Sequence, residues 1–505
     1  MIPLKRSKVK FYPDPKRVIT LFFMINPQRS KKIIERILRL SEKEVKALLD
    51  HVLNDFAERH RKITSKFERH FEQIKNILKE ELNYEIPEVS FERKLLIGSY
   101  FTKEYSIESA AFFNPSIVED PNQEGLEEGQ KRVIVTFRAT GEGHISSLVF
   151  RSGILTKDND FIFKPVHRLV EMPETVRRHV YNKKSFVERV KMFVRDRRLK
   201  NGKDSPVFER IRDELINEII GELDENFIYG KLLAAIENYK KKKGEVKGLA
   251  KRVLEAMERA ANSHYEFEFS MDTSLSERVI FPISYTESRG IEDMRFVRFV
   301  EEDGEVIYSS TYTAFSEVGI VPKFIITKHF RRFKVIPLNG EYAMGKGLAL
   351  FPRRIKGRYA MLSRIDGENN YVMFSDEINV WIEPPKMIHS PEYPWEFVQV
   401  GNCGAPIETS EGWLVLTHGV GPMRRYCLGA ILLDLEDPTR MIARLEEPLM
   451  VPNEEEREGY VPNVVYSCGA IINNGELVIP YSISDYASSF ATVPLDLLFK
   501  KMKRL

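Results

Sequence analysis

Short runs of strand-forming residues, divided by turn residues, constrain the fold of this 505-residue chain more than any other feature. The runs are rich in β-branched and aromatic residues, and Gly, Asn, Asp and Pro separate them. They include KRVIVTFRAT, MRFVRFV, GEVIYSSTYTAF, GRYAMLSRI, EGWLVLTHGV and GELVIPYSI. Short strands without alternating helices favour an all-β sandwich, barrel or propeller. A loose unit of about 50–70 residues recurs, but it is too degenerate to identify a propeller by periodicity.

Two segments have a helical pattern instead. In the first, about 29–82, apolar residues recur with a 3.6-residue period, and Ser41 with Glu44 predicts a capping box at the start of the second helix. In the second, about 173–263, Ser205 precedes a proline and an apolar face, which predicts a capped helix. Because neither segment can bury its apolar face alone, we expect the two to pack on each other.

These patterns predict one β domain with two helical additions. The predicted parts are an N-terminal helical extension (1–92), the first part of the β domain (93–172), a helical insertion that packs with the N-terminal helices (173–263) and the remainder of the β domain (264–505). The apolar faces of the helices also make a homo-oligomer a reasonable expectation.

Composition narrows the functional classes. With 43% hydrophobic and 30% charged residues, the chain is typical of a soluble globular protein, and a net charge of +3 gives no reason to expect a nucleic-acid partner. No apolar run is long enough for a membrane span, and the N-terminus lacks a secretory signal. Three cysteines, Cys403, Cys427 and Cys468, form no metal-binding spacing, so we expect a cytoplasmic protein without a metal.

Polar residues stand at the ends of the predicted strands, or in the turns that follow. They are Asn114, Arg138, Glu292, Asp293, Lys346, Arg364, His418 and Asp485. In a propeller such positions converge on a central cavity. Taken singly, each has an ordinary structural explanation as a turn residue, a core histidine or a surface charge. The chain has no G-x-S-x-G, P-loop or H-E-x-x-H motif, so the pattern alone indicates only a soluble, mostly β protein.

Several longer stretches, taken together, carry a family resemblance. They are FFNPSIV, VTFRA, GIEDMRFVRF, LFPRRIKGRYAMLSR, GAPIETSEGWLVLTHGV, LGAILLDLEDPTR, VPNVVYSCGA and YSISD. In this order they resemble glycoside hydrolase family 130, the β-mannoside phosphorylases and β-mannosidases on a five-bladed β-propeller. The resemblance covers about 93–172 and 265–498. The helical segments have no counterpart in the short members of that family.

The resemblance implies a five-bladed propeller with an added helical subdomain, and it implies roles for the polar residues. Asp293 matches the catalytic general acid, and inorganic phosphate would attack the sugar from the opposite face. Lys346, Arg364 and His418 match positions on the phosphate side. Asn114, Arg138 and Asp485 match positions that bind the mannosyl unit, and we assign Glu292 to the substrate site with them. We expect Glu292 to matter less than Asp293, because adjacent side chains on a strand point to opposite faces.

Some residues depart from the family pattern. Met294 replaces the proline of an Asp-Pro-Arg block, and a lysine replaces one phosphate-site arginine, which loses the bidentate fork. Gln399 aligns with a phosphate-site lysine of the short phosphorylases. Arg424 and Arg425, in a neighbouring predicted loop, are candidates to restore that charge.

We therefore expect a phosphorylase that cleaves manno-oligosaccharides to α-mannose 1-phosphate, with phosphate as co-substrate and no cofactor. One alternative is an exo-acting β-mannosidase, which needs a carboxylate base; Glu108, Glu142 and Glu287 are the candidates. The other is a carbohydrate-binding propeller without turnover, whose helices would bind partners. In either enzyme, we expect the insertion to shape access to the substrate site, directly or by building an oligomer; the alternative is a stabilising appendage remote from that site.

Overall fold

The computed structural model describes residues 3–176, 180–194, 205–316 and 319–505. Its N-terminal part holds two strands and four helices: β1 (Lys5–Phe11), β2 (Val18–Phe22), α1 (Pro27–Leu38), α2 (Glu42–Phe56), α3 (Ile63–Leu82) and α4 (Phe91–Tyr100). The predicted capping box is confirmed, since Ser41 and Glu44 bond each other's backbone N–H groups at the start of α2.

The next two stretches contain the first β region and the insertion. The first β region holds β3 (Thr102–Ser106), β4 (Ala111–Glu119), β5 (Lys131–Thr140), β6 (Ser146–Leu155) and β7 (Phe161–Phe163). The insertion holds β8 (Glu174–Val176), β9 (Val180–Asn182), α5 (Lys183–Phe193), α6 (Pro206–Ile220), β10 (Asn226–Ile228), α7 (Tyr229–Lys243), α8 (Gly248–Asn262) and β11 (Tyr265–Glu268). Ser205 accepts a hydrogen bond from the Phe208 N–H, as expected of the predicted N-cap of α6.

The remaining residues are almost entirely strands. In chain order they are β12 (Val279–Ile280), β13 (Gly290–Val300), β14 (Val306–Ser316), β15 (Gly319–Thr327), β16 (Arg332–Pro337), β17 (Lys346–Leu350), β18 (Tyr359–Arg364), β19 (Asn370–Ser375), β20 (Lys386–His389), β21 (Gln399–Asn402), β22 (Ile407–Thr409), β23 (Gly412–Val420), β24 (Tyr426–Leu433), β25 (Met441–Arg444), β26 (Val465–Tyr466), β27 (Ile471–Asn473), β28 (Glu476–Ile483) and β29 (Ala487–Pro494), followed by α9 (Leu495–Lys501) and β30 (Lys503–Arg504).

Within the described residues, five antiparallel sheets of four to six strands follow one another along the chain. They are built around β4–β6, β13–β16, β17–β20, β21–β25 and β26–β29. Each sheet contacts the next near its first strand, and β28 and β29 of the fifth sheet contact β4 of the first. This ring of sheets is the arrangement of a five-bladed propeller. The mostly β class with helical additions is confirmed.

The chain termini tie the sheets together in a way that the predicted boundaries missed. Strand β1 pairs with β29 and so completes the fifth sheet, although it lies within the predicted helical extension. Strand β30 pairs with β25 of the fourth sheet. The first and last strands of the insertion, β8 and β11, pair with each other. Strand β11 also pairs with β16, so both strands extend the outer side of the second sheet.

In the described part of the chain, the two helical segments close separate apolar cores, in contrast to the joint packing that we expected. The N-terminal core includes Ile34 and Phe71, and the core of the insertion includes Phe186 and Met257. Each segment supplies four helices, which are enough to cover one another's apolar faces. The insertion docks instead on the β region, where α8 contacts the turn before β13.

Candidate active site

Three of the predicted site residues have an unusual backbone conformation. Asn114, Asp293 and Asp485 have φ of 48°, 52° and 49°, in the left-handed region. In β4 and β13 the pairing with the next strand shifts register at this point, which is a β-bulge that redirects the side chain. Asn and Asp tolerate this conformation better than most residues, yet each instance costs about 1–3 kcal/mol and such residues concentrate at functional sites. Met294, in place of the family's proline, is buried in the apolar core beneath.

The carboxylate of Asp293 lies among one amide and two guanidinium groups. Asn114 Nδ2 donates to Asp293 Oδ1 at 2.7 Å. Arg138 Nη1 and Arg295 Nη2 each lie 3.7 Å from a carboxylate oxygen, and Arg295 Nη1 also donates to the Asp293 carbonyl at 2.9 Å. Burial opposes ionisation, but Arg295, Arg138, Asn114 and Lys346 together hold the pKa of Asp293 below its usual value. Asp293 is therefore ionised in the free protein at neutral pH.

Glu292 joins the same cluster. Its Oε1 accepts from Arg138 at 2.8 Å, and its Oε2 accepts from Lys346 at 2.8 Å. Arg138 thus contacts both Glu292 and Asp293, although neighbouring side chains of a regular strand point to opposite faces. The bulge in β13 breaks that alternation. We expected Glu292 to matter less than Asp293 because the two side chains would point to opposite faces, and that reason is wrong.

A second group of basic side chains lies on β17, β18 and β23. Lys346 and Arg364 are direct cross-strand partners, and Arg364 Nη1 is 3.2 Å from His418 Nε2. Burial, with Arg364 and Arg295 nearby, lowers the pKa of His418 well below 6.5, so this imidazole is neutral. Its Nε2 therefore accepts from Arg364, while its Nδ1 faces Cys403 Sγ at 3.7 Å. His418 orients a cation and adds no charge of its own.

Gly401 makes this arrangement possible. It pairs with His418 across β21 and β23. A Cβ at Gly401 would lie 2.3 Å from His418 Cε1 and 3.2 Å from Arg364 Nη1. Any side chain here would displace the imidazole and the guanidinium that it orients.

Asp485 is the carboxyl of the cluster whose pKa is raised. Burial raises its pKa to about 7; the nearby Arg138 opposes the rise, and Asp293 and Glu292 add to it. Near neutral pH this group is therefore divided between its neutral and ionised forms. The structure thus brings all eight predicted residues into one connected region, from Asp485 through Arg138 to Lys346 and Arg364.

Comparisons with known proteins show which proteins this chain is similar to. The family model described as β-1,4-mannooligosaccharide phosphorylase, of glycoside hydrolase family 130, matches residues 258–504. A 1,2-β-oligomannan phosphorylase of Thermoanaerobacter is 34% identical over 207 residues, which are 39% of this chain and 66% of that protein. A β-1,2-mannobiose phosphorylase of Listeria innocua is 30% identical over 45% of this chain and 63% of its own length. These matches support the assignment of the chain to glycoside hydrolase family 130.

These aligned stretches span just under two thirds of the two relatives. A β-1,4-mannooligosaccharide phosphorylase of Ruminococcus albus is 26% identical over 52% of this chain and 82% of that protein. Among solved structures, the superposition on the Listeria innocua β-1,2-mannobiose phosphorylase in complex with β-1,2-mannobiose includes 79% of this chain and 92% of that protein's chain. The TM-score is 0.45 and the sequence identity is 20%. The family model includes Asp293 and the basic group, but it begins after Asn114 and Arg138.

Two residues that the sequence did not single out complete this family 130 site. Arg295 is buried, and its Nη2 donates to the Tyr466 hydroxyl at 2.7 Å. The Tyr466 ring lies 5.0 Å from the His418 ring, edge to face. Arg295 thus links the backbone of Asp293, through Tyr466, to the group formed by Lys346, Arg364 and His418. The available signal was an arginine two residues after Asp293, between the apolar residues Met294 and Phe296. Nothing in the sequence pointed to Tyr466.

The loop arginines lie close to the basic group. Arg424 and Arg425 are exposed in the turn between β23 and β24. Arg424 Nη2 is 3.4 Å from the Tyr426 hydroxyl, and the Tyr426 ring stacks on the His418 ring at 6.0 Å. Gln399, the other residue singled out in the sequence, begins β21 and pairs with Val420, which directly precedes this turn. The turn therefore places two exposed cations near Gln399.

The three carboxylates considered as a hydrolytic base have other environments. Glu108 and Glu287 are fully buried in ion pairs with Arg151 and Lys323, at 3.1 and 2.7 Å. Glu142 lies exposed in the turn after β5. Glu108 and Glu287 are therefore unable to activate a water molecule in the cluster.

No three Cys, His, Asp or Glu side chains are grouped as a metal ion would require, as far as the described residues show. Among the helices described above, none is long and apolar enough to cross a membrane.

Proposed function

We propose that this family 130 protein is a β-mannoside phosphorylase. It would transfer the terminal mannosyl unit of a manno-oligosaccharide to inorganic phosphate, with inversion, to give α-mannose 1-phosphate. The observation that carries the proposal is the cross-strand pair of Lys346 and Arg364 beside the Asp293 cluster. Lys346 pairs with Glu292, and Glu292 also pairs with Arg138. Because these two cations share one carboxylate, positive charge remains available to bind an anion.

In this reaction a phosphate oxygen forms a bond to the anomeric carbon while the glycosidic carbon–oxygen bond breaks. The electron pair of that bond goes to the leaving oxygen, which takes a proton from Asp293. Because phosphate is itself the nucleophile, the protein needs one acid and no second carboxylate as base. Asn114 and Arg138, which contact Asp293 and its neighbour, would bind the hydroxyls of the mannosyl unit.

A general acid must carry a proton before it can donate one, but the lowered pKa of Asp293 leaves it ionised in the free protein. Substrate binding must therefore raise this pKa. Phosphate beside Lys346 brings negative charge and neutralises one of the cations that favour the ionised carboxylate. The sugar excludes water and strengthens the effect of burial. Both changes raise the pKa of Asp293 in the ternary complex, so the acid becomes protonated only when both substrates are bound. Asp485, with a pKa of about 7, is the nearby group that holds a proton to supply.

His418 has a supporting role in this proposal. As a neutral acceptor it fixes the Arg364 guanidinium, and Arg364 then presents its remaining N–H groups to phosphate. The exposed Arg424 and Arg425 would add charge when phosphate enters. A β-mannosidase remains the second candidate, favoured by the loss of a cation at Gln399.

Replacing Arg364 by Ala tests the phosphate site. We expect the KM for phosphate, at saturating sugar, to rise about 10- to 100-fold, because a hydrogen bond between charged groups is worth about 1.5–3 kcal/mol. The KM for the mannoside should change little. Arg358→Ala is the matched control, since Arg358 begins the same strand region but pairs with Asp376 and Glu383. An unchanged phosphate KM in Arg364→Ala would contradict the proposal.

A further inference from the structure

A cavity of about 510 Å³ lies where the helical insertion meets the second sheet. The insertion and the sheet both contribute to its wall, and the lining includes Tyr181, Tyr229, Glu255, Glu258, Arg259 and Tyr285. Cavities between structural units are common sites for small ligands, and this volume is within the usual range of about 300–1,000 Å³. None of the eight predicted site residues lines it.

The aromatic walls of this cavity are held in place. The Tyr265 hydroxyl donates to Glu287 Oε1 at 2.7 Å, and the Tyr181 hydroxyl donates to the Ala261 carbonyl at 3.1 Å. Tyr285, by contrast, is 46% exposed. The cavity thus combines fixed rings with one accessible ring, and a preformed site of this kind loses little conformational entropy on binding.

The lining chemistry identifies the class of ligand. The charged lining side chains are Glu255, Glu258 and Arg259, and Lys240 pairs with Glu258 at 3.9 Å, so the local charge is balanced and does not attract an anion. Carboxylate and amide groups disfavour a hydrocarbon. Aromatic bodies beside hydrogen-bonding groups suit a neutral ligand with apolar faces and many hydroxyls, which describes a carbohydrate. Arg259 lines the cavity, and its guanidinium group supplies N–H donors of the kind that bind hydroxyl oxygens.

The cavity is close along the chain to the acid. Ser284 and Tyr285 line it, and they open the turn that leads into β13. Asp293 is the fourth residue of that strand, so the turn and the acid lie at the same end of the sheet. Tyr285 and Asp293 are eight positions apart in the sequence, and an extended chain of that length spans at most ~29 Å.

We infer that this cavity is a second carbohydrate-binding site, which holds the distal sugar units of a long manno-oligosaccharide whose terminal unit occupies the active site. The inference rests on the proposed substrate class. It gives the helical insertion a function, which is to extend the substrate site beyond the ring of sheets and to favour long chains over disaccharides.

Binding to the inactive Asp293→Asn protein tests this directly. The probes are β-mannohexaose and β-mannobiose, each in 1,2- and 1,4-linked form, measured by titration calorimetry. We expect the hexaose of one linkage to bind at least about tenfold more tightly than the mannobiose of that linkage, and Tyr285→Ala to remove this difference. Glu255→Gln, on α8 and remote in sequence from β13, should weaken hexaose binding in the same way. Tyr100→Ala, an equally exposed tyrosine on α4, should leave it unchanged.

In the active protein, Tyr285→Ala should lower kcat/KM about tenfold for hexaose and leave mannobiose unaffected. An equal loss on both substrates would mean that Tyr285 acts through β13, and it would overturn the inference. Unchanged hexaose binding in both variants would also overturn it. The binding measurement needs neither phosphate nor turnover, so its outcome is independent of whether phosphate proves to be the nucleophile.

Discussion

Asp293 and Glu287 lie six residues apart at the start of the second sheet, and both carboxylates are shielded from solvent. Glu287 is saturated with donors. Its Oε1 accepts from Tyr265, Tyr312 and Lys323 at 2.7–2.8 Å, and its Oε2 accepts from two backbone N–H groups. Burial opposes its ionisation, but Lys323 and these hydrogen bonds lower the pKa of Glu287 to about 2.

Asp293 has almost the opposite environment. Its carboxylate accepts one short hydrogen bond, from Asn114, while the guanidinium groups of Arg138 and Arg295 remain 3.7 Å away. Its backbone is in the left-handed region, whereas Glu287 lies in a regular capping turn. A carboxylate has about four acceptor positions, so Asp293 has capacity for a substrate hydroxyl or a proton, and Glu287 has none. The contrast separates a carboxylate that stabilises the fold from one that is available for chemistry.

Removing the charge of Asp293 is expected to have the largest effect. Asp293→Asn should lower kcat by about 10²–10⁴-fold, because the leaving oxygen loses its proton donor. Asparagine tolerates the same backbone conformation, and Arg295 keeps its hydrogen bonds to the residue-293 carbonyl and to Tyr466, so the urea midpoint of unfolding should fall less than in Glu287→Gln. Turnover of an unactivated mannoside at nearly the original rate would show that another group is the acid.

Glu287→Gln is the contrasting variant. It leaves Lys323 buried without a counter-charge, and breaking such a pair costs about 3–5 kcal/mol of folding free energy. Urea unfolding should reveal this loss, while the activity of the protein that remains folded falls much less than in Asp293→Asn. A stable but inactive Glu287→Gln protein would erase the distinction between the two carboxylates.

Asp485→Asn should stabilise the fold at high pH. With a pKa of about 7 in the folded protein and about 3.9 unfolded, Asp485 makes the native state bind more protons between these values, so stability falls as pH rises through that window. The variant has no such loss. Its advantage in unfolding free energy should grow from near zero at about pH 4 to at most about 4 kcal/mol above pH 7. A difference that is constant with pH, or equal to that of the exposed Asp496→Asn, would contradict the raised pKa.

The sequence predicts the contents of the site better than its geometry. Strand alternation and turn residues locate the polar residues at strand ends, and the structure brings Asp293 together with Asn114 and Arg138. The bulge that sets Glu292 beside Asp293 was not predictable, because a register shift depends on the neighbouring strand as well as on the local sequence.

Long-range contacts account for the other differences. Arg295 and Tyr466 are 171 residues apart in the chain, and their hydrogen bond crosses the centre of the ring between the second and fifth sheets, which are not neighbours in it. The separate cores of the two helical segments have a similar origin. An amphipathic face such as that of α8 shows that a partner is needed, but it does not specify which helix or sheet supplies that partner.

The central claim is that phosphate is the nucleophile at the Asp293 site. Incubating the protein with β-1,2- and β-1,4-mannobiose, with and without inorganic phosphate, and quantifying free mannose and mannose 1-phosphate tests it most directly. We expect at least one of these substrates to give mannose 1-phosphate and free mannose in equal amounts, with phosphate consumed in step, and almost no cleavage without phosphate. Cleavage to free mannose alone, at a rate that phosphate does not change, would contradict the account and identify a hydrolase.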